Sequence, residues 1–234
     1  MKKTLWLMKK YVILISILSV TFLCMNELCL SVKAETGKRN KIILIDPGHG
    51  GIDGGAVSKN GTVEKDLNLC ISIMLKNKLI TQGYDVVMTR EEDKGLYSEN
   101  GAIRKKKIED LNNRCKMKEN SRCDLFVSIH LNMFPQSKYK GAQVWYAEDS
   151  ESQKLAHILQ QNLINDVDSS NHRCEKPANN SYKILRCGSH IPSVIIECGF
   201  LSNPEEESEL KDKAYQEKIA ESIVKSINSY FYEN

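Results

Sequence analysis

The chain has 234 residues, of which 41% are hydrophobic and 27% charged, so it can bury a sizeable core and is not disordered throughout. Its formal net charge of +3 arises at the N-terminus, because residues 1–34 contain five lysines and one glutamate. The remaining 28 basic and 29 acidic residues give a net charge of −1, and composition therefore gives no support for nucleic-acid binding.

The N-terminal residues have the pattern of a secretion signal. Four lysines lie among residues 2–10, and an apolar run of 15 residues follows at 11–25. This run is short for a membrane span of roughly 20 residues. Val32-Lys33-Ala34 has the small-x-small pattern that signal peptidase cleaves. We predict a signal peptide over residues 1–34, with an uncleaved anchor as the alternative, and a short N-terminal segment over residues 35–40.

Short apolar runs alternate with amphipathic stretches along the rest of the chain. The apolar runs predict strands at residues 42–45, 84–88, 125–129, 142–146 and 194–196. Apolar residues at helical spacing predict helices over 67–79, 155–163 and 219–231, and another helix is expected near 105–118. Residues 182–185 are expected to form a further short strand. The alternation predicts one α/β domain over residues 41–234, with a mainly parallel twisted sheet and helices on both faces.

Six cysteines follow the predicted cleavage site, and an even number in an exported chain is compatible with disulfides. A domain of this size does not need disulfides, however, and no C-x-x-C pair indicates a structural zinc or redox motif. Cys70 falls on the apolar face of a predicted helix and Cys198 in a predicted buried strand. In such places cysteine serves as a small apolar residue, so we expect most of these thiols to be free.

Polar clusters lie where the predicted strands end. Asp46-Pro47-Gly48-His49-Gly50-Gly51 follows the first strand, Ser128-Ile129-His130-Leu131-Asn132 ends a buried strand, and Glu197 ends another. In an open α/β sheet, functional groups gather at the carboxyl ends of the strands. His49, His130 and Glu197 are therefore expected at one rim of the sheet, which Glu64 can reach from the start of a helix.

The chemistry of these side chains indicates a metal site. Two imidazoles and one carboxylate are the ligand set of a catalytic zinc ion, which lowers the pKa of a bound water toward about 7. A carboxylate that is not a ligand then acts as general base and acid. We predict His49, Glu64 and His130 as metal ligands and Glu197 as the catalytic residue. The glycine-rich run could instead be a plain turn or an anion-binding loop, although it lacks the Lys-Ser/Thr of a phosphate loop.

Four ordered motifs resemble those of zinc-dependent N-acetylmuramoyl-L-alanine amidases of type 3. They occupy residues 45–51, 64–68, 127–132 and 194–203, and Thr89-Arg90, Asp110-Leu111 and Arg114 fit the same pattern. The resemblance covers essentially residues 41–234 and implies a phosphorylase/hydrolase-like fold. It implies a zinc ion on His49, Glu64 and His130, with Glu197 catalytic. The implied reaction is hydrolysis of the amide between N-acetylmuramic acid and L-alanine in peptidoglycan.

The chain is most similar to the germination-specific amidases that remodel spore cortex peptidoglycan. This similarity rests on the signal peptide, the absence of a wall-binding repeat and the lysine-rich lead into Asp110-Leu111. In those relatives the cleavage is a step toward muramic-δ-lactam. The alternatives are a vegetative or lytic cell-wall amidase, a catalytically silent wall-binding protein of the same fold, and another zinc hydrolase such as a carboxypeptidase.

The expected partner is the muramyl peptide of peptidoglycan, without nucleic acid. Export places the protein in the cell-wall space, between the forespore membranes or in the cortex. Without a wall-targeting domain, an accessory exported protein such as a lipoprotein is expected to position or activate it. The charged segment at 91–107 is a candidate contact, with a plain surface loop as the alternative.

Asp46 and Asn132 are candidates for orienting the ligands. Arg186 and Tyr182 are candidates for contacting a substrate carboxylate, with packing as the alternative.

Overall fold

The computed structural model describes residues 39–98 and 100–232. The predicted signal peptide and most of the short segment after it lie outside the described residues. The chain from Lys41 to Asn234 forms one compact unit. Among the described helices, none is both long enough and apolar enough to cross a membrane.

A six-stranded sheet runs through the described part of the chain. Its strands are β1 (Ile42–Pro47), β2 (Asp85–Met88), β3 (Leu125–Asn132), β4 (Gln143–Tyr146), β5 (Lys176–Pro177) and β6 (Ser193–Phe200). They lie in the order β2-β1-β3-β6-β4-β5. All neighbouring strands are parallel except β4 and β6, which are antiparallel. The prediction of a mainly parallel sheet is confirmed.

Helices cover both faces of this sheet. They are α1 (Glu64–Thr81), α2 (Ile103–Asn120), α3 (Ser150–Asp166), α4 (Lys183–Arg186), α5 (Pro204–Lys211) and α6 (Lys213–Tyr232). Along β1, Ile43 and Ile45 belong to the apolar cluster formed with α1, α3 and α6, whereas Leu44 packs with α2 and α4. Because alternate residues of a strand point to opposite faces, the two clusters lie on the two sides of the sheet, as predicted.

The turn after β6 ties together the strands next to the site. The Asn203 side chain accepts hydrogen bonds from the backbone N–H groups of Glu205 and Glu206, and Pro204 occupies the first turn of α5. The carboxylate of Glu206 accepts the backbone N–H of Gly141 at 2.8 Å and that of Phe200 at 2.9 Å. This buried side chain therefore fixes the end of β6 against the segment that leads into β4.

The strand predicted at residues 182–185 is wrong, because the chain forms the short helix α4 there. Ile184 and Leu185 are both buried, in the cluster that contains Phe126. A run of only four residues gives no periodicity that distinguishes a strand from one helical turn. The helical turn places Tyr182, the residue before α4, beside the site described below.

Cys70 is exposed, contrary to its predicted place on the apolar face of a helix. The buried stripe of α1 recurs every four residues, at Leu67, Ile71, Leu75 and Leu79. This stripe passes beside position 70, which therefore faces solvent. Cys198 is buried on β6, and the six cysteines within the described residues are free thiols.

Candidate metal centre and active site

Three adjacent parallel strands bring the predicted side chains to one rim of the sheet. β3 lies between β1 and β6, and His130 of β3 is directly opposite Glu197 of β6. His49 lies two residues beyond the end of β1. Glu64 is the first residue of α1 and reaches the rim from the helix start. Residues far apart in the sequence thus meet because the carboxyl ends of parallel strands lie together.

The side chains of His49, Glu64 and His130 converge closely enough to share one ion. Ligand atoms of the three residues all lie within 4.8 Å of one another. The two carboxylate oxygens of Glu64 face one imidazole each, at 3.3 Å from His49 Nε2 and 3.1 Å from His130 Nδ1. The two rings are 5.0 Å apart at an interplanar angle of 75°. Two ring nitrogens and a carboxylate oxygen are thus presented to a common point.

Backbone and side-chain donors hold Glu64 in place. Its carboxylate accepts the backbone N–H of Ala56 at 2.8 Å and that of Leu131 at 3.1 Å, and the Asn68 side chain lies at 3.3 Å. Burial acts to raise the pKa of Glu64, but the hydrogen bonds from His130 and His49 outweigh it, so the pKa lies well below its ordinary value. The residue is therefore a carboxylate of fixed orientation, as a metal ligand requires.

Asp53, which belongs to none of the sequence motifs, orients the ring of His49. Its Oδ2 lies 3.0 Å from His49 Nδ1, and its other oxygen accepts a hydrogen bond from Lys107 Nζ at 2.7 Å. Burial acts to lower the pKa of His49, but the hydrogen bonds to Asp53 and Glu64 raise it from 6.5 to about 9. A carboxylate on the far nitrogen of a ligating imidazole fixes the ring and increases its basicity. The only sequence indication was an acidic residue four positions after the histidine.

Two glycines leave room for the imidazole rings. A Cβ atom on Gly48 would overlap the ring of His130. A Cβ atom on Gly55 would lie 2.5 Å from Glu64 Oε2 and 2.7 Å from His49 Cδ2. The loop backbone therefore passes against the candidate ligands at a distance that any side chain would prevent.

Arg114 and Asp46 anchor the loop that carries His49. Arg114 Nη1 donates to Asp46 Oδ1 at 2.6 Å and to the carbonyl of Pro47 at 2.9 Å, and Nη2 donates to the carbonyl of His49 at 2.6 Å. Thr89 and Ser128 also donate to the Asp46 carboxylate. Burial opposes ionisation, but Arg114 and these hydroxyls hold the pKa of Asp46 below its ordinary value. Asp46 therefore acts through the loop, without bonding to a ligand side chain.

Arg90 supports the same loop from the other side. Its Nε donates to the carbonyl of Pro47 at 3.0 Å, and Nη2 donates to the carbonyls of Gly48 and Lys65 at 3.0 and 2.8 Å. The side chain is buried. Two buried guanidinium groups thus donate to the backbone carbonyls of three consecutive residues, 47–49.

Glu197 lies beside this cluster without belonging to it. The residue is 8% exposed, and its Oε2 has no hydrogen-bond partner within the described residues. Burial raises its pKa from 4.5 to about 7. Burying a carboxyl group without a hydrogen-bond donor costs free energy, so this residue is unusual in a strand as apolar as β6. A pKa near neutrality suits a group that takes up and releases a proton.

The remaining candidates lie outside the ligand cluster. Asn132, at the end of β3, lines a neighbouring groove. Arg186 donates to the carbonyl of Asn180 at 3.0 Å and lines a separate depression. Tyr182 does reach the site, where it helps to line a groove of about 290 Å³ together with His49 and His130. Tyr182 therefore lies where a substrate contact is possible, whereas Arg186 lies away from the ligand cluster, and its substrate contact stays a prediction.

The residues present fit a zinc ion. Imidazole nitrogen and carboxylate oxygen are donors that zinc prefers, and three protein ligands leave a position for water or substrate, as in catalytic sites. The unpartnered oxygen of Glu197 provides the acid or base that such a site uses. Within the described residues, no other group of histidine, cysteine and acidic side chains has this arrangement.

Comparisons with known proteins agree with this geometry. The family model of N-acetylmuramoyl-L-alanine amidases (Amidase_3) matches residues 43–229. The germination-specific N-acetylmuramoyl-L-alanine amidase of Bacillus subtilis is 39% identical over 195 residues, which are 82% of this chain and 81% of the relative.

Solved structures show the same similarity. The CwlD amidase from Clostridioides difficile, determined in complex with the GerS lipoprotein, is 46% identical, with a TM-score of 0.81 over 83% of this chain and 100% of that chain. An N-acetylmuramoyl-L-alanine amidase from Clostridium difficile is 35% identical, with a TM-score of 0.72 over 82% of this chain and 97% of that chain.

Proposed function

The chain belongs to the N-acetylmuramoyl-L-alanine amidase family, and we propose that it works as a zinc enzyme whose ligands are His49, Glu64 and His130. It hydrolyses the amide bond between N-acetylmuramic acid and L-alanine, in the peptidoglycan of the spore cortex. This cleavage is a step toward the formation of muramic-δ-lactam. The observation that carries the zinc proposal is the convergence of three ligand atoms beside a buried carboxyl group that has no partner of its own.

Glu197 moves the proton in the proposed mechanism. When bound, zinc supplies Lewis-acid chemistry, since it polarises the scissile carbonyl and acidifies water. Glu197 takes a proton from the attacking water and then delivers it to the departing amine of L-alanine. Its position opposite His130 and its pKa of about 7 support both roles. Glu64 and His130 hold their orientation through the contacts described above, and Asp53 does the same for His49.

The proposed place of action is outside the cytoplasm, after export by a signal peptide over residues 1–34. An accessory exported protein is proposed to bind the segment at 91–107. Within this segment, Asp93 accepts the backbone N–H of Gly51, and Tyr97 accepts that of Ile52. A partner on this surface could therefore stabilise the loop that carries His49. Hydrogen exchange in the presence of an exported lipoprotein from the same host tests this, and unchanged exchange at residues 91–107 rejects it.

Digestion of purified cortex peptidoglycan tests the proposed reaction. The chain is incubated with and without a chelator, zinc is then restored, and the products are identified by mass spectrometry. We expect peptide-free muramic acid together with peptides that begin with L-alanine, lost with chelator and regained with zinc. Metal analysis of the purified chain is expected to give one zinc ion per molecule. Release of single C-terminal residues would indicate a carboxypeptidase instead, and intact peptidoglycan would indicate a silent binding protein.

A further inference from the structure

A second groove lies on the side of Glu197 that faces away from His49. Across the sheet, β6 is followed by β4, and Gln143 of β4 is directly opposite Glu197. His130, Glu197 and Gln143 therefore form a row across three strands on one face of the sheet. The groove begins at Gln143 and has a volume of about 480 Å³. We refer to it as the β4 groove.

The β4 groove carries positive charge without acidic residues. Arg173 and Lys176 are among its ten lining residues, and none of the ten is aspartate or glutamate. Neither cation forms an ion pair with a carboxylate of the described residues. The groove beside His49 differs, because its lining contains Asp53 and Asp110 together with basic side chains. The two grooves that meet at the site are thus electrostatically distinct.

The guanidinium group of Arg173 is held in place by its neighbours. Arg173 donates through Nε to the carbonyl of Lys140 and through Nη1 to Gln143 Oε1, both at 2.9 Å. Its guanidinium also stacks on the ring of Phe200, 4.5 Å from the centroid. The remaining nitrogen, Nη2, has no hydrogen-bond partner among the described residues. Arg173 is therefore oriented in advance and still has donors for a ligand, as carboxylate recognition requires.

Lys176 provides a second cation close by. Its Nζ lies 5.7 Å from the centre of the Trp145 ring, and the side chain is exposed. Tyr182 packs against the same tryptophan, with the ring centroids 5.7 Å apart. Tyr182 also lines the groove beside His49, so it forms the border between the two grooves.

The proposed reaction indicates which part of the substrate lies beside Glu197. Glu197 protonates the departing amine in the proposed mechanism, so that amine must lie next to Glu197. The β4 groove, which begins at Gln143 on the side of Glu197 away from the metal ligands, is therefore open to the peptide that begins with this amine. In peptidoglycan the residue after L-alanine is a glutamate, whose free carboxylate is negatively charged at neutral pH.

We propose that the β4 groove binds the departing stem peptide and that Arg173 and Lys176 pair with the carboxylate of its second residue. This inference rests on the proposed amidase function and specifies the peptide side of the same site. Arg173 supplies a planar donor pair, and Lys176 a mobile point charge. The aromatic rings of Trp145, Tyr182 and Phe200 form the walls along which the peptide lies.

Two substrates that differ by one charge test the inference. They are muramyl tripeptides with the same scissile amide, one with D-glutamate at the second position and the other with D-isoglutamine, in which that carboxylate is an amide. kcat and KM are measured for the unaltered chain and for the Lys176→Gln and Arg173→Gln variants. Lys213→Gln, an exposed lysine at the start of α6, is the matched control. Melting temperatures show whether each variant is folded. If Arg173→Gln does not fold, Lys176→Gln still tests the inference, because Lys176 is exposed and its replacement is not expected to disturb the fold.

We expect kcat/KM on the D-glutamate substrate to exceed that on the D-isoglutamine substrate by about tenfold, mainly through KM, since a hydrogen bond to a charged group contributes this much. Lys176→Gln and Arg173→Gln are expected to lower this ratio toward one, and Lys213→Gln to leave it unchanged. A ratio near one in the unaltered chain, or a ratio that survives both substitutions, overturns the inference and leaves the amidase function intact. Cleavage of neither substrate refutes the proposed function, and the inference with it.

Discussion

Replacing Glu197 with glutamine should separate catalysis from stability. The change keeps the shape of the side chain but removes the group that takes up and releases the proton. Loss of a general acid or base costs roughly 10²- to 10⁴-fold in turnover. We expect Glu197→Gln to lose turnover by this factor and to bind zinc as before, because Glu197 is not among the three candidate ligands.

The same substitution should stabilise the protein when zinc is removed by a chelator. The pKa of Glu197 is about 7 in the folded chain, against an ordinary value of 4.5. The folded state thus binds this proton more tightly than the unfolded state, so stability falls as the pH rises from 4.5 through 7. At pH 8 the cost of ionisation is about 3 kcal/mol, and at pH 5 about 1 kcal/mol. Glutamine has no such cost, so the stabilisation should be larger at pH 8.

Urea denaturation at both pH values, with chelator present, measures this difference. Glu206→Gln is a matched control, because Glu206 is also buried but accepts two backbone N–H groups, at 2.8 and 2.9 Å. Its replacement removes an acceptor and should destabilise the protein. Equal stabilities of the unaltered chain and Glu197→Gln at pH 8 would show that Glu197 is not buried as described, and normal turnover by this variant would refute its catalytic role.

Two further substitutions test how the loop after β1 holds the site. Gly48→Ala places a methyl group against the His130 ring, and displacement of that ligand should lower kcat/KM by about a hundredfold and weaken zinc binding measured by chelator competition; unchanged zinc affinity would contradict the close approach. Arg114→Met leaves the Asp46 carboxylate buried without its cation, so the free energy of unfolding should fall by about 3–5 kcal/mol in chemical denaturation. Lys116→Met, an exposed position on the same helix, should change stability little, and equal effects of the two substitutions would contradict the proposed anchoring.

The rim that carries the site could be predicted from the sequence. The runs before His49, around His130 and before Glu197 are apolar at successive positions, which is typical of strands covered on both faces. Parallel strands place their carboxyl ends together, so the convergence of these side chains follows from the strand assignment alone. Glu64 joins them because α1 follows β1 in the chain and therefore begins at the same rim, with Glu64 as its first residue.

The supporting contacts could not be predicted in the same way. Arg114 and Asp46 are 68 positions apart, and no local spacing indicates that a guanidinium on α2 reaches the loop after β1. The place of Gln143 opposite Glu197 depends on the antiparallel direction of β4, which the apolar run at 142–146 does not encode. The helix at Lys183–Arg186 was missed for a related reason, since its burial depends on contacts with Phe126 and its neighbours rather than on its own pattern.

The spread of the candidate ligands along the chain couples the proposed binding of a metal ion to the stability of the folded protein. Glu64 and His130 are separated by 66 positions and meet only when β3 has paired with β1. An unfolded chain therefore has no preformed site, and an ion held by these ligands would bind the native state alone. At a free concentration a hundred times its dissociation constant, such an ion adds about 2.7 kcal/mol to the free energy of unfolding. With zinc as the proposed ion, its scarcity would thus lower the resistance of the protein to proteases as well as its activity.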